Sequence, residues 1–245
     1  SFQRGPAKAP ALIRKALYSD SMNLCTELGT TIENDLITDN GDFNIEDYFD
    51  IATITQKNIE NGEKLLTLGG DHSITFPIIK AFHDHYPKLD ILHIDAHADL
   101  YHDYEGDPYS HACPFARIME NGYAVKLVQI GIRTLNQHQA DQVKKFDVDI
   151  HEMRNLDLTA IPNFKNPLYI SLDMDGFDPA FAPGVSHHEP GGLSSRQVID
   201  LIQGIDAQIV GADFVEYNPD RDFNDMTAYL AAKMMKELLG KLMVH

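Results

Sequence analysis

Short aliphatic runs alternate with longer amphipathic ones along this chain. Five runs read as buried strands: Leu65–Gly69 (LLTLG), Ile91–Asp95 (ILHID), Leu127–Gly131 (LVQIG), Leu168–Asp173 (LYISLD) and Ile209–Phe214 (IVGADF). They are short and mostly aliphatic, and several stop at Gly or Asp. Helix-like stretches lie between them, at Phe76–His85, Cys113–Glu120, Asn136–Phe146, Ser195–Ile205 and Met226–Leu242. Ser194 or Ser195 is placed to cap the fourth of these. Strand and helix in alternation predict an α/β fold, a parallel sheet with helices on both faces. Such sheets place ligands at the carboxyl ends of their strands.

The length of 245 residues fits one compact domain, and 43% apolar residues can fill its core. Residues 1–245 are therefore expected to form a single domain. No run approaches the roughly 18 apolar residues of a membrane span. A formal charge of −17 argues against nucleic acid or an anionic membrane as partner. Two cysteines, Cys25 and Cys113, make neither a disulfide framework nor a zinc cluster. They read as reduced thiols in a cytoplasmic compartment. The first residue is Ser, so the natural start is expected upstream and organelle targeting stays open. The acidic surplus is either a solvated surface or a set of carboxylates that hold cations.

The placement of the acids favours a share for the second. In IDAHADL, Asp95, His97 and Asp99 recur at a spacing of two, which puts them on one side of an extended chain. SLDMDGFDP repeats the device with Asp173 and Asp175, and GGDHS sets His72 just past a strand and a glycine pair. A single Asp at a strand end is ordinarily a turn former, the duty assigned here to Asp71 and Asp178. Six such residues together are different, because like charges held this close need a cation. His72, Asp95, His97, Asp99, Asp173 and Asp175 are too many for one tetrahedral zinc. They suit two ions that share carboxylates, about 3.5–4 Å apart in such sites. Oxygen-rich ligation with two imidazoles and no thiolate favours manganese, with Fe, Co or Ni left open.

GGDHS, DAHAD and SLDMDGFDP resemble the three signature motifs of the ureohydrolase family, which contains arginases and agmatinases. The resemblance extends to Ser1–Ile13, Tyr104–Gly122, Phe181–Leu193 and Gly211–Pro219, stretches most similar to plant-type arginases and their bacterial relatives. It implies an arginase-like three-layer α/β/α fold with a mainly parallel sheet, two Mn(2+) per chain, and a homotrimer or homohexamer. It also implies that Asp95 and Asp173 bridge the ions, that His72 and Asp99 complete one sphere, and that His97 and Asp175 complete the other.

The expected reaction is hydrolysis of a guanidino substrate to urea and an amine. A guanidinium is a poor electrophile, so attack needs hydroxide, which two metal ions can supply by acidifying a water to a pKa of about 7. Asp99 is the expected acceptor of a hydrogen bond from that water. Glu216, just past a predicted strand, is the expected partner of the substrate cation. The leaving amine needs a proton, and His111 in YSHACPF matches the family's shuttle histidine. His187, ahead of His188, is expected to line the guanidinium pocket, and Tyr109 to meet the substrate. The other histidines, His93 among them, read as structural or solvated, and Arg117 and Arg133 as surface or structural ion-pair residues.

L-Arginine (to ornithine) and agmatine (to putrescine) differ by one carboxylate, and arginine is the first expectation. The Asn that meets this group in animal arginases is replaced by Tyr101, so agmatine stays open. Guanidinobutyrate and formiminoglutamate follow. From another class come a metal-binding regulator on the same fold and a one-zinc deacetylase-like hydrolase.

Overall fold

The computed structural model describes residues 3–244; Ser1, Phe2 and His245, the ends of the expected domain, lie outside the described residues. Six strands form one sheet: β1 (Leu65–Leu68), β2 (Asp90–Ile94), β3 (Lys126–Ile132), β4 (Asp149–Glu152), β5 (Leu168–Asp173) and β6 (Ile209–Val215). Their order is β1-β6-β5-β2-β3-β4, and every pairing is parallel.

Both faces of the sheet are covered, which explains the continuous apolar runs. Alternate side chains enter opposite cores. Leu92, Val128, Ile170 and Ala212 join one, packed against α1 (Ala9–Leu17), α6 (Ser195–Gly204) and α7 (Met226–Val244). Ile91, Leu127, Tyr169 and Val210 join the other, under α2 (Asp50–Glu60), α3 (Thr75–His85), α4 (Pro114–Glu120) and α5 (Gln137–Phe146). Each fully buried Ile or Leu contributes about 1.5–3 kcal/mol to this arrangement. Ser194 caps α6 in a reciprocal pair with Gln197, as its placement predicts.

The five expected strands and five expected helices are present with small shifts at their ends. The pattern missed α1, α2 and β4. β4 is an edge strand of four half-buried residues, DIHE, so it carries no apolar run. No helix among the described residues is long and apolar enough to cross a membrane.

The chain order reverses between β2 and β5. β2 leads on to β3 and β4 on one side, and β5 to β6 on the other. The space beyond the strand ends at such a reversal is the usual ligand position in parallel sheets. Ile94, Leu172, Phe214 and Leu68 are in register across four strands. Asp95 follows one of them directly, and Asp173 another.

Candidate metal centre

The row beyond the aligned strand ends carries the acids. Gly176 lets the turn after β5 lie against the chain after β2, since a Cβ there would sit 2.9 Å from the Asp95 nitrogen. Arg133 pins the same turn. Its half-buried guanidinium donates to the carbonyls of Asp175 (2.8 Å), Phe177 (3.2 Å) and Glu189 (2.6 Å). It thus serves backbone oxygens rather than the ion pair expected for it. Asp99 and Glu216 both hold left-handed backbone, with φ of 49° and 62°. That conformation costs about 1–2 kcal/mol for a residue with a Cβ, and the surrounding packing must sustain it.

All six predicted ligands come together. His72 Nδ1 lies 3.0 Å from Asp99 Oδ2 and 3.2 Å from Oδ2 of both Asp95 and Asp173. His97 Nδ1 lies 3.3 Å from Asp95 Oδ1 and 3.2 Å from Asp175 Oδ2. Asp95 therefore turns one oxygen to each imidazole.

The donors fit a cation. His72 Nε2 is 2.9 Å from Ser171 Oγ, and Ser171 donates its own proton to Asp213 Oδ1 at 2.7 Å. Ser171 must then accept from His72, which leaves Nδ1 as a lone pair among three carboxylate oxygens. Nδ1 makes no hydrogen bond among the described residues. Spacings of 3.0–3.3 Å are near the edge of an octahedron of oxygen ligands, about 3 Å for bonds of about 2.1 Å.

Electrostatics agree. Burial opposes a charge on His72, yet Asp173, Asp95 and Asp99 outweigh it and raise its pKa well above the ordinary value. Burial, together with Asp175 and Asp95, holds the Asp173 carboxyl well above the carboxylate range. Burial and the neighbouring Asp95 push Asp99 up to about 6. These three shifts describe a spot that lacks positive charge.

Glu216 sits beside this cluster. Its Oε1 accepts from the His72 backbone at 3.1 Å, and its buried Oε2 has no hydrogen-bond partner among the described residues. Burial, with Asp71 and Asp175 nearby, pushes it up to about 8. His187 meets the His97 ring edge-on at 5.6 Å and stacks on His111 at 6.0 Å. Burial lowers His111 to about 4. His188 turns instead to the Pro183 carbonyl at 2.7 Å. Tyr109 packs with Tyr48, Phe49 and Phe76, with ring centroids 5.5–5.8 Å apart. Tyr101 accepts from Asn136.

Residues 1–240 match the model of the arginase family. The chain belongs to the arginase family. The mitochondrial arginase of Medicago truncatula is 46% identical, over 99% of this chain and 78% of that protein. The N(1)-aminopropylagmatine ureohydrolase of Thermus thermophilus is 39% identical, over 70% of this chain and 61% of that protein. Among solved structures, the Medicago arginase superposes with a TM-score of 0.92, covering 99% of this chain and 83% of that one. The agmatine ureohydrolase of Thermoplasma volcanium reaches 0.88 at 29% identity, covering 99% and 85%. This arginase-family chain thus has the three-layer α/β/α fold and is a metal-dependent amidinohydrolase.

Around this arginase-family centre Asp213 escaped the sequence reading, and Arg117 and His93, read there as structural residues, make further contacts. Asp213 gathers Ser171, Tyr169 (3.0 Å) and Thr75 (2.9 Å) behind His72. Arg117 is buried and holds the loop before α4 through the His102 carbonyl at 2.6 Å, besides its ion pair with Glu120. His93 is fully buried, 2.7 Å from Asp95 Oδ2. Its signal was present: His93, Asp95, His97 and Asp99 continue one period-two series.

Proposed function

We propose that this hydrolase cleaves L-arginine to urea and ornithine with two manganese ions. His72, Asp95, Asp99 and Asp173 would hold one ion, and Asp95, His97, Asp173 and Asp175 the other. Bound there, the ions would supply hydroxide near neutral pH. The observation that carries the reading is Glu216 Oε2, a buried carboxylate oxygen with no hydrogen-bond partner among the described residues, beside a cluster suited to cations.

In this reading Glu216 pairs with the guanidinium, which replaces the proton that burial otherwise keeps on it. The planar cation is thereby oriented with its carbon toward the cluster. Asp99 accepts a hydrogen bond from the attacking oxygen. His111 is neutral at rest, since its pKa lies near 4. It therefore takes up the proton released in the attack and hands it to the leaving amine nitrogen, a shuttle rather than a pre-charged acid. His187, between His97 and His111, lines the path of the guanidinium. Tyr109 reaches the substrate only from the rim.

Identity to the Medicago arginase favours arginine. Tyr101, in place of an Asn, and the likeness to an agmatine ureohydrolase support agmatine as the second reading. Residues 1–245 then act as one ureohydrolase domain, as a homotrimer or homohexamer. The Medicago relative is named mitochondrial, which supports an organelle over the cytoplasm.

Urea release from L-arginine and agmatine, measured side by side on manganese-loaded and chelated protein, tests this. Preference for arginine, lost on chelation, is expected. The Glu216→Gln variant should lose about 10- to 100-fold in kcat/KM, the value of a charge-assisted hydrogen bond. Preference for agmatine would replace the substrate, and urea from neither would overturn the reading.

A further inference from the structure

His93, Asp95 and His72 bring their donor atoms within 4.8 Å of one another, so distance alone would admit His93 as a metal ligand. The hydrogen bonds around it exclude that role. Gln129 Nε2 lies 2.7 Å from the Ala98 carbonyl oxygen and 2.9 Å from His93 Nδ1. Turning the amide over would set its oxygen against the Ala98 oxygen, two acceptors face to face. The nitrogen therefore faces both partners and donates one proton to each. This orientation is kept although Gln129 Oε1 is buried without a hydrogen-bond partner among the described residues. His93 Nδ1 must then be the acceptor. The ring proton resides on Nε2, which is 2.7 Å from Asp95 Oδ2 and donates to it. A nitrogen that carries a proton has no lone pair for a metal.

We infer that Gln129 and His93 are positioning residues for Asp95, with Gln129 fixing the His93 tautomer and His93 aiming the carboxylate that both metal spheres share. The inference rests on the metal reading above. The arrangement is rigid for physical reasons. His93 stacks on Phe115 at 4.0 Å between centroids and meets the His72 ring edge at 4.9 Å. Gln129 and His93 are Cα partners on adjacent strands, so their register is fixed by the sheet. The Asp95 Oδ2 that accepts from His93 is the oxygen turned to His72, while Oδ1 is turned to His97. Losing the donor would let the carboxylate rotate and disturb both halves at once. Groups that orient a ligand in this way are typically worth about 10- to 100-fold in metal affinity.

Manganese(II) alone, titrated into the metal-free protein, tests this without reference to turnover. His93→Phe keeps the stack on Phe115 but removes the donor. It should raise the manganese Kd about 10- to 100-fold with an unchanged number of ions at saturation. His93→Gln, whose amide can still donate, should recover most of the affinity. Gln129→Met leaves Asp95 and His93 in place and frees the tautomer. It should weaken binding in the same direction by a smaller factor, and it serves if His93→Phe does not fold. Loss of one ion at saturation in His93→Phe would make His93 a ligand and overturn the inference. So would an unchanged Kd in both His93→Phe and Gln129→Met. Wild-type protein that takes up no manganese would instead overturn the metal reading, and this inference with it.

Discussion

The two imidazoles of the centre live in different surroundings. The His72 side chain is 1% exposed and clamped from behind by Ser171 and Asp213. The His97 side chain is 27% exposed, and beyond Asp95 and Asp175 its ring meets the His187 ring, with His111 next in line. One half of the cluster is set into the sheet, and the other looks out on two further imidazoles. Under the proposed function the difference would divide the labour: the closed half would fix the ions, and the open half would meet the substrate. Asp95 joins the two.

The largest test removes that junction. Asp95→Ala should cost both ions and bring turnover below detection, read by metal analysis and urea release. Two tightly bound ions in this variant would break the shared-ligand assignment.

Next comes the open half. His111→Ala should lower kcat by about 10²–10⁴ while the metal content stays at the wild-type value. Loss of metal with activity would move His111 to the closed half's kind of work.

The closed half should respond the other way. Ser171→Ala removes the acceptor of the His72 proton and the donor to Asp213 Oδ1. It should raise the manganese Kd about 10- to 100-fold and destabilise the fold by about 1–3 kcal/mol in thermal unfolding. If kcat at saturating metal fell as far as in His111→Ala, the division would fail.

The smallest effect is local. Chelation should lower the melting temperature, because four carboxylates are left around two imidazoles. Hydrogen exchange should rise first at residues 97–111 and 185–188 and later at residues 71–75. The reverse order would invert the comparison.

The sequence carried the closed and open halves unequally. The five apolar strands and the six clustered ligands, four aspartates and two histidines, were legible because their signals are local: an apolar run ending in Gly or Asp, or ligand residues at a spacing of two. The same rule would have included His93, which was left aside because a lone buried histidine is ordinarily structural. Asp213 was not legible. It sits inside an apolar strand and finds Ser171 only through the parallel pairing of β5 with β6, some 40 positions away. Arg133 read as a charge seeking a carboxylate, yet its partners are carbonyls that loop geometry brings to it. The helices α1 and α2 lie apart from the motifs, and their apolar stripes, such as Ala9, Ile13, Ala16 and Leu17, were passed over.

The alignment of Ile94, Leu172, Phe214 and Leu68 has a consequence for how such a protein can vary in length. The acids stand one step beyond this row, so the sheet acts as a ruler. A one-residue insertion within β2 or β5 would set Ile94 or Leu172 in the place of the aspartate, and a deletion would set Ala96 or Met174 there. Those strands are closed to indels, while the irregular residues 18–49 can lengthen or shorten at little cost. Directed evolution toward a new guanidino compound should therefore spend its length changes in the loops and leave the strand spacing untouched.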